Sequence, residues 1–191
     1  MPRKLQPERR REILAAARAL FADKGYHETS IADVAAELRM GHGTFYRYFK
    51  NKRDIFAHVI DEIVGRIAGI GITEAPNTPT TLAEFRAQVE RIGTRLYAIF
   101  SADPAAVRLV FHEVHGVDAA MRKRIDDAFE FFARFTSAYM KNGIDRGYLR
   151  SDLDVDTAAR AINAVVYEGI RRCAHATDFE AEANRWVQIV L

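Results

Sequence analysis

Between Thr29 and Phe56 the chain reads TSIADVAAELRMGHGTFYRYFKNKRDIF, in which two apolar helical faces, each about two turns long, are separated by a three-residue break. Ser30, with Asp33 three residues later, fits a capping box, and Ile31, Val34, Ala35 and Leu38 share one face of the helix that follows. Arg39-Met40-Gly41 interrupts the pattern before His42-Gly43-Thr44-Phe45-Tyr46-Arg47-Tyr48-Phe49 resumes it. Helices this short are not stable alone. They must lean on a third, and residues 8–24 supply it through Ile13, Leu14, Ala17, Leu20 and Phe21, with Gly25 placed as a left-handed C-terminal cap. Two short helices joined by a tight turn are the helix-turn-helix layout.

Charge follows the same division. Residues 1–60 carry 12 basic and 7 acidic side chains, a net of +5, whereas residues 61–191 carry 16 and 19, a net of −3. A positive first third on a slightly acidic remainder suits a polyanion-binding module joined to something else. Phe45 and Phe49, four apart, turn inward. His42, Thr44, Tyr46, Arg47 and Tyr48 are then projected outward as hydroxyls, a cation and an imidazole that can reach phosphates and the edges of bases in the major groove. Lys50, Lys52 and Arg53 open the next helix, where side-chain charge and free amides together suit a phosphate. The plainer reading of the same residues is a solvated basic surface.

The rest reads as helix throughout, with a linker at 73–81 and further helices over about 82–101, 104–115, 118–146, 156–176 and 178–191. The expected architecture is all-α, with about nine helices: an N-terminal helix-turn-helix domain of three helices at 1–55 and a larger C-terminal helical domain at 56–191. Cys173 is the lone cysteine, so no internal disulfide forms. The basic start, Met1 to Arg11, leads into no apolar signal core, and the most apolar runs are broken by Arg66 and Glu168. A cytoplasmic protein with no membrane partner is expected.

Residues 8–60 resemble the DNA-binding domain of the TetR family of bacterial transcriptional regulators, through the segment just quoted and the preceding Ala19-Leu20-Phe21-Ala22-Asp23-Lys24-Gly25-Tyr26. The resemblance implies that Thr29 and Ser30 bind a phosphate by hydroxyl and amide. It further implies that His42, Gly43, Thr44, Tyr46, Arg47 and Tyr48 form the recognition element, and that Lys52 fixes a phosphate at the start of the fourth helix. Three positions depart from the family pattern. Arg39 and Gly41 replace the usual Gly and Ser, so the turn takes a left-handed non-glycine residue, at about 1 kcal/mol, or changes shape. Gly41 also caps less well than Ser by a few tenths of a kcal/mol. His42 stands where Lys is common, removing a positive charge near the DNA.

The resemblance also implies a ligand-released repressor that acts as a homodimer on a palindromic operator, with a small apolar or amphipathic effector. Phe85, Tyr97, Phe100, Leu109, Phe111, His112, Phe129, Phe132, Tyr139 and Tyr167 are the candidate lining, although plain core is the commoner role for any single aromatic. Ile162, Val165, Val166, Gly169, Phe179, Trp186 and Val190 on the last two helices are the candidate dimer surface, with intramolecular packing as the alternative. Gly65, Gly69 and Gly71 thin the helix joining the two domains, for close packing or for bending.

Two rival functions remain open. His112-Glu113-Val114-His115 suggests a helical metal-dependent enzyme, but a zinc-protease helix needs its histidines four apart, so no metal is expected. An architectural DNA binder without an effector is the other. No nucleophile elbow, P-loop or dinucleotide fingerprint is present, so neither catalysis nor a cofactor is expected.

Overall fold

A computed structural model describes residues 6–190. Met1 to Leu5 of the basic N-terminal run, and Leu191, lie outside the described residues. The helices are α1 (Gln6–Lys24), α2 (Ile31–Glu37), α3 (His42–Phe45), α4 (Lys52–Thr73), α5 (Leu82–Ser101), α6 (Pro104–Arg108), α7 (Val114–Val117), α8 (Ala119–Asp145), α9 (Val155–Cys173) and α10 (Phe179–Val190). A π-helical turn, Leu109–Glu113, joins α6 to α7. With Pro104–Val117 taken as one π-bulged helix, the described residues form nine helices and no strand.

Local chemistry places most boundaries where the sequence predicts them. Gly25 adopts φ +92° and its N–H donates to the Phe21 carbonyl at 3.1 Å, ending α1. Ser30 caps α2 through the full capping box. Thr81 and Asp154 cap α5 and α9 with their side chains. Two expectations need correction. The recognition helix is one α-turn, His42–Phe45, continued by tighter turns to Phe49. The stretch after α4 is no loose linker: the buried Glu74 carboxylate accepts from Arg91 at 3.0 and 3.1 Å, Gln88 donates to the Ala75 carbonyl, and Asn142 donates to that of Pro79. Paired guanidinium donors hold the Glu74 carboxyl below its usual range.

The chain divides into two compact units, residues 1–63 with 108–123, and residues 64–107 with 124–191. In the first, Phe21, Tyr26 and Phe56 form a ring cluster with centroids 4.9 to 5.7 Å apart, and Ile13, Ala17, Val34 and Phe45 fill the space beside it. In the second, α10 packs on α9 and α5. Gly71 lies where a Cβ would collide with the Phe135 ring, and Gly93 where one would come within 2.8 Å of Val187, so both glycines permit close approach. Gly65 and Gly69 have nothing within 4 Å of a Cβ, so the packing explanation holds only for Gly71.

Candidate nucleic-acid interface

Three helix starts of the first unit, those of α2, α3 and α4, carry the residues expected to meet DNA. At α2, the Asp33 N–H donates to Ser30 Oγ at 3.1 Å while the Ser30 N–H donates back to the Asp33 carboxylate at 2.7 Å. The Ser30 hydroxyl and amide hold the Asp33 carboxyl down at about 2. At α3, Phe45 and Phe49 are buried as anchors, 5.9 Å apart. Their burial leaves His42, Gly43, Tyr46 and Arg47 exposed and Thr44 and Tyr48 half-buried on the outer side. These six are the expected recognition residues, and they share one short exposed stretch.

Arg39 has φ +47°, so the turn keeps its shape by putting a non-glycine residue in the left-handed region, at about 1 kcal/mol. Gly41 caps α3 with extended backbone and no side-chain hydrogen bond.

Two expected phosphate ligands are placed differently from the sequence reading. Thr29 is buried, and its hydroxyl donates to the Gly25 carbonyl at 2.7 Å, so it braces the turn after α1 rather than facing outward. Lys52, at the start of α4, donates to the Tyr26 and His27 carbonyls at 2.8 and 3.0 Å, with its ammonium 4.5 Å from the Tyr26 ring centroid. It is half-buried and ties α4 to that same turn. Arg53 beside it pairs with Asp118, whose carboxyl is lowered by the guanidinium. Sequence reasoning missed Tyr26 as the residue on which these bonds converge. Its one available signal, an aromatic just after a left-handed glycine, does not specify a partner.

The candidate effector residues fall into separate groups. Within the second unit Tyr97, Phe100 and Tyr139 are buried, while Phe85, Phe129, Phe132 and Tyr167 are half-buried. Phe129 stacks on Tyr167 at 4.4 Å, Phe131, Phe132, Phe135 and Tyr139 form a chain of ring contacts, and Phe85 meets Tyr148. Burial pushes the Tyr139 phenol up to about 12, and its hydroxyl donates to the Glu74 carbonyl. Leu109 is buried in the first unit and Phe111 is half-buried there, whereas His112 is exposed, which is at odds with a place in an apolar lining.

On the candidate dimer surface, Gly169 is used inside the chain, since a Cβ there would collide with the Tyr97 hydroxyl and come within 2.8 Å of Trp186. The Trp186 indole donates to Glu182 at 2.9 Å. Ile162, Val165, Val166, Phe179 and Val190 are half-buried, and Ile189 is 61% exposed beside them. Cys173 is packed, and burial followed by the Glu182 charge pushes its thiol up to about 11.

Glu113 is committed to the turn after α1, and among the described residues no three His, Cys, Asp or Glu side chains gather as metal ligands. Among them, too, no helix is long and apolar enough to cross a membrane.

A short reader helix anchored by two buried rings and followed by a basic helix start, in a chain with a second, larger helical unit, defines a helix-turn-helix transcriptional regulator. The family model for bacterial regulatory proteins of the tetR family matches residues 13–59. Among curated relatives, the fatty acid metabolism regulator protein of Bacillus subtilis is 22% identical over 83% of this chain and 80% of its own length. The transcriptional repressor KstR2 of Rhodococcus jostii is 26% identical over 96% of this chain and 89% of its own. Two solved structures share the fold: FadR of Bacillus subtilis in complex with stearoyl-CoA (TM-score 0.79, 21% identity, 94% and 96% of the two chains) and FadR of Bacillus halodurans (TM-score 0.82, 20% identity, 98% and 96%). The likeness to the tetR family is thus carried by residues 13–59, the helix-turn-helix segment, and the relatives and solved structures extend it over most of the chain at 20 to 26% identity.

Proposed function

We infer that the protein is a homodimeric repressor that leaves a palindromic operator when an amphipathic effector of the long-chain acyl thioester class enters its C-terminal unit. The observation carrying this reading is the set of half-buried rings on Phe85, Phe129, Phe132 and Tyr167, an apolar interior that the chain's own packing leaves incompletely covered. The named ligand of the Bacillus subtilis structure supports the chemical class. Ile162, Val165, Val166, Phe179 and Val190 are the surface for a second copy, extended by Ile189; Gly169 is withdrawn from that set. Two copies would hold their recognition elements about 34 to 36 Å apart, one turn of DNA.

The test is to recover a duplex by in vitro selection, form the complex, and titrate stearoyl-CoA against it with fluorescence anisotropy, using coenzyme A alone as control. Release by the thioester and not by the control is expected. Retention of DNA at saturating stearoyl-CoA overturns the effector class, and sedimentation as a monomer at micromolar concentration overturns the dimer.

A further inference from the structure

We propose that Glu113 is the positioning residue for the DNA-facing helix starts, and that the π turn exists to hold it there. The case begins at the end of α1. Once Gly25 has donated to Phe21, the next hydrogen bond of a continuing helix would run from the Tyr26 N–H to the Ala22 carbonyl. The helix stops instead, and the two halves of that missing bond are each taken by one side chain from the π-bulged helix. Arg108 donates to the Ala22 carbonyl at 2.7 Å and to that of Asp23 at 3.0 Å, while Glu113 accepts the Tyr26 N–H at 2.8 Å. Arg108 and Glu113 are themselves 3.3 Å apart.

Their spacing makes the turn necessary. Residues five apart in an α-helix point about 140° away from each other around the axis, so Arg108 and Glu113 would not face one target. Here the Val114 N–H donates to the Leu109 carbonyl five residues back, and that wider turn brings Glu113 over Arg108. The carboxylate also lies close over Gly25, where a Cβ would come within 3.3 Å of its oxygen and push it back by a few tenths of an ångström.

The contact reaches the DNA-facing surface through a single residue, Tyr26, held on both its N–H and its carbonyl. Glu113 holds the Tyr26 N–H, and Lys52 at the start of α4 holds the Tyr26 carbonyl. His27, next in the chain, contacts the Gly116 carbonyl with its ring at 2.9 Å. Ser30, the cap of α2, follows three residues later. The segment that sets both helix starts is therefore held from the π-bulged helix by acceptor and donor side chains acting on its backbone.

The test uses the full-length protein, a duplex recovered by in vitro selection, and amide exchange at Tyr26. Glu113→Ala is expected to speed Tyr26 exchange at least about tenfold and weaken duplex binding by about tenfold. Glu113→Gln keeps an acceptor oxygen and is expected to restore both to within about threefold of wild type. Deleting the exposed His112 returns the helix to α register with Arg108 and Glu113 four apart, on one face, and is expected to preserve Tyr26 protection. If Glu113→Ala does not fold, Arg108→Met carries the test, with about a threefold loss of binding expected. Wild-type Tyr26 exchange in Glu113→Ala, weakened binding with no change at Tyr26, or a Gln variant as impaired as Ala would each overturn the assignment.

Discussion

The two units treat most of their phenylalanine rings differently, with half-buried Phe111 the exception in the first and buried Phe100 the exception in the second. In the first, Phe21, Phe45, Phe49 and Phe56 are each at most 1% exposed. In the second, Phe85, Phe129, Phe132, Phe135 and Tyr167 are all half-buried, and Phe131 is 44% exposed. A surface that must match phosphates at fixed spacing gains from a core with one packing arrangement. An interior that admits a guest gains from rings not fully spent on their neighbours. The division of labour between reading and sensing is thus visible in how completely each unit covers its own rings.

The strongest way to break this comparison is to truncate a ring in each unit. Phe56→Ala should cost about 3 to 5 kcal/mol and Phe129→Ala about 1 to 2 kcal/mol, measured by denaturant unfolding. Equal losses would mean that the second unit is as tightly packed as the first. Next in size are the readers themselves. Arg47→Ala should cost about 1 to 3 kcal/mol on the selected duplex and relax its sequence preference, whereas Lys52→Ala should weaken all duplexes alike and lower the salt slope by about one. Because Lys52 is bonded to Tyr26 and His27, an unchanged slope with weakened binding would make it a brace and not a phosphate ligand.

Smaller effects sharpen the contrast. Gly65→Ala and Gly69→Ala meet open space and should stabilise α4 by up to about 1 kcal/mol each, while Gly71→Ala, forced against Phe135, should destabilise it. The double variant at 65 and 69 should bind duplex and stearoyl-CoA normally but show weaker coupling between them. The smallest effect expected is that of acid on α2. The folded value of the Asp33 carboxyl, about 2, lies below the ordinary 3.8. Its stabilising effect is therefore complete above the ordinary value and is lost as pH falls through the folded one. Asp33→Asn should flatten the acid limb of a melting-temperature profile between those values.

Legibility in the sequence followed the range of the interactions. The capping box at Ser30 and Asp33, the stop at Gly25, and the inward Phe45 and Phe49 all depend on residues within a few positions of each other, and the structure has them as the sequence pattern predicts, while of the two outcomes open at Arg39 it takes the left-handed residue. The π turn was not legible, since a wider turn in LVFHE leaves composition and apolar spacing nearly unchanged. The contacts of Thr29, Lys52 and Gly169 were not legible because their partners are set by tertiary packing: the Gly25 carbonyl, the Tyr26 carbonyl, and the Tyr97 and Trp186 side chains.

The glycines of α4 have a mechanical consequence. Considered as a beam, the helix is built in at Gly71, where the Phe135 ring fills the space a side chain would need, and is thinned at Gly65 and Gly69, where a side chain would meet open space. A beam yields at its thin section, and the length from Gly65 to Lys52, which moves with the core it is packed into, spans about 20 Å at 1.5 Å per residue. A bend of about 10° there would carry the Lys52 end through about 3 Å. That travel is comparable with the roughly 3.4 Å rise per nucleotide along the DNA axis, so a small angular deflection at two glycines becomes a displacement of about one base-pair step at the lever's tip.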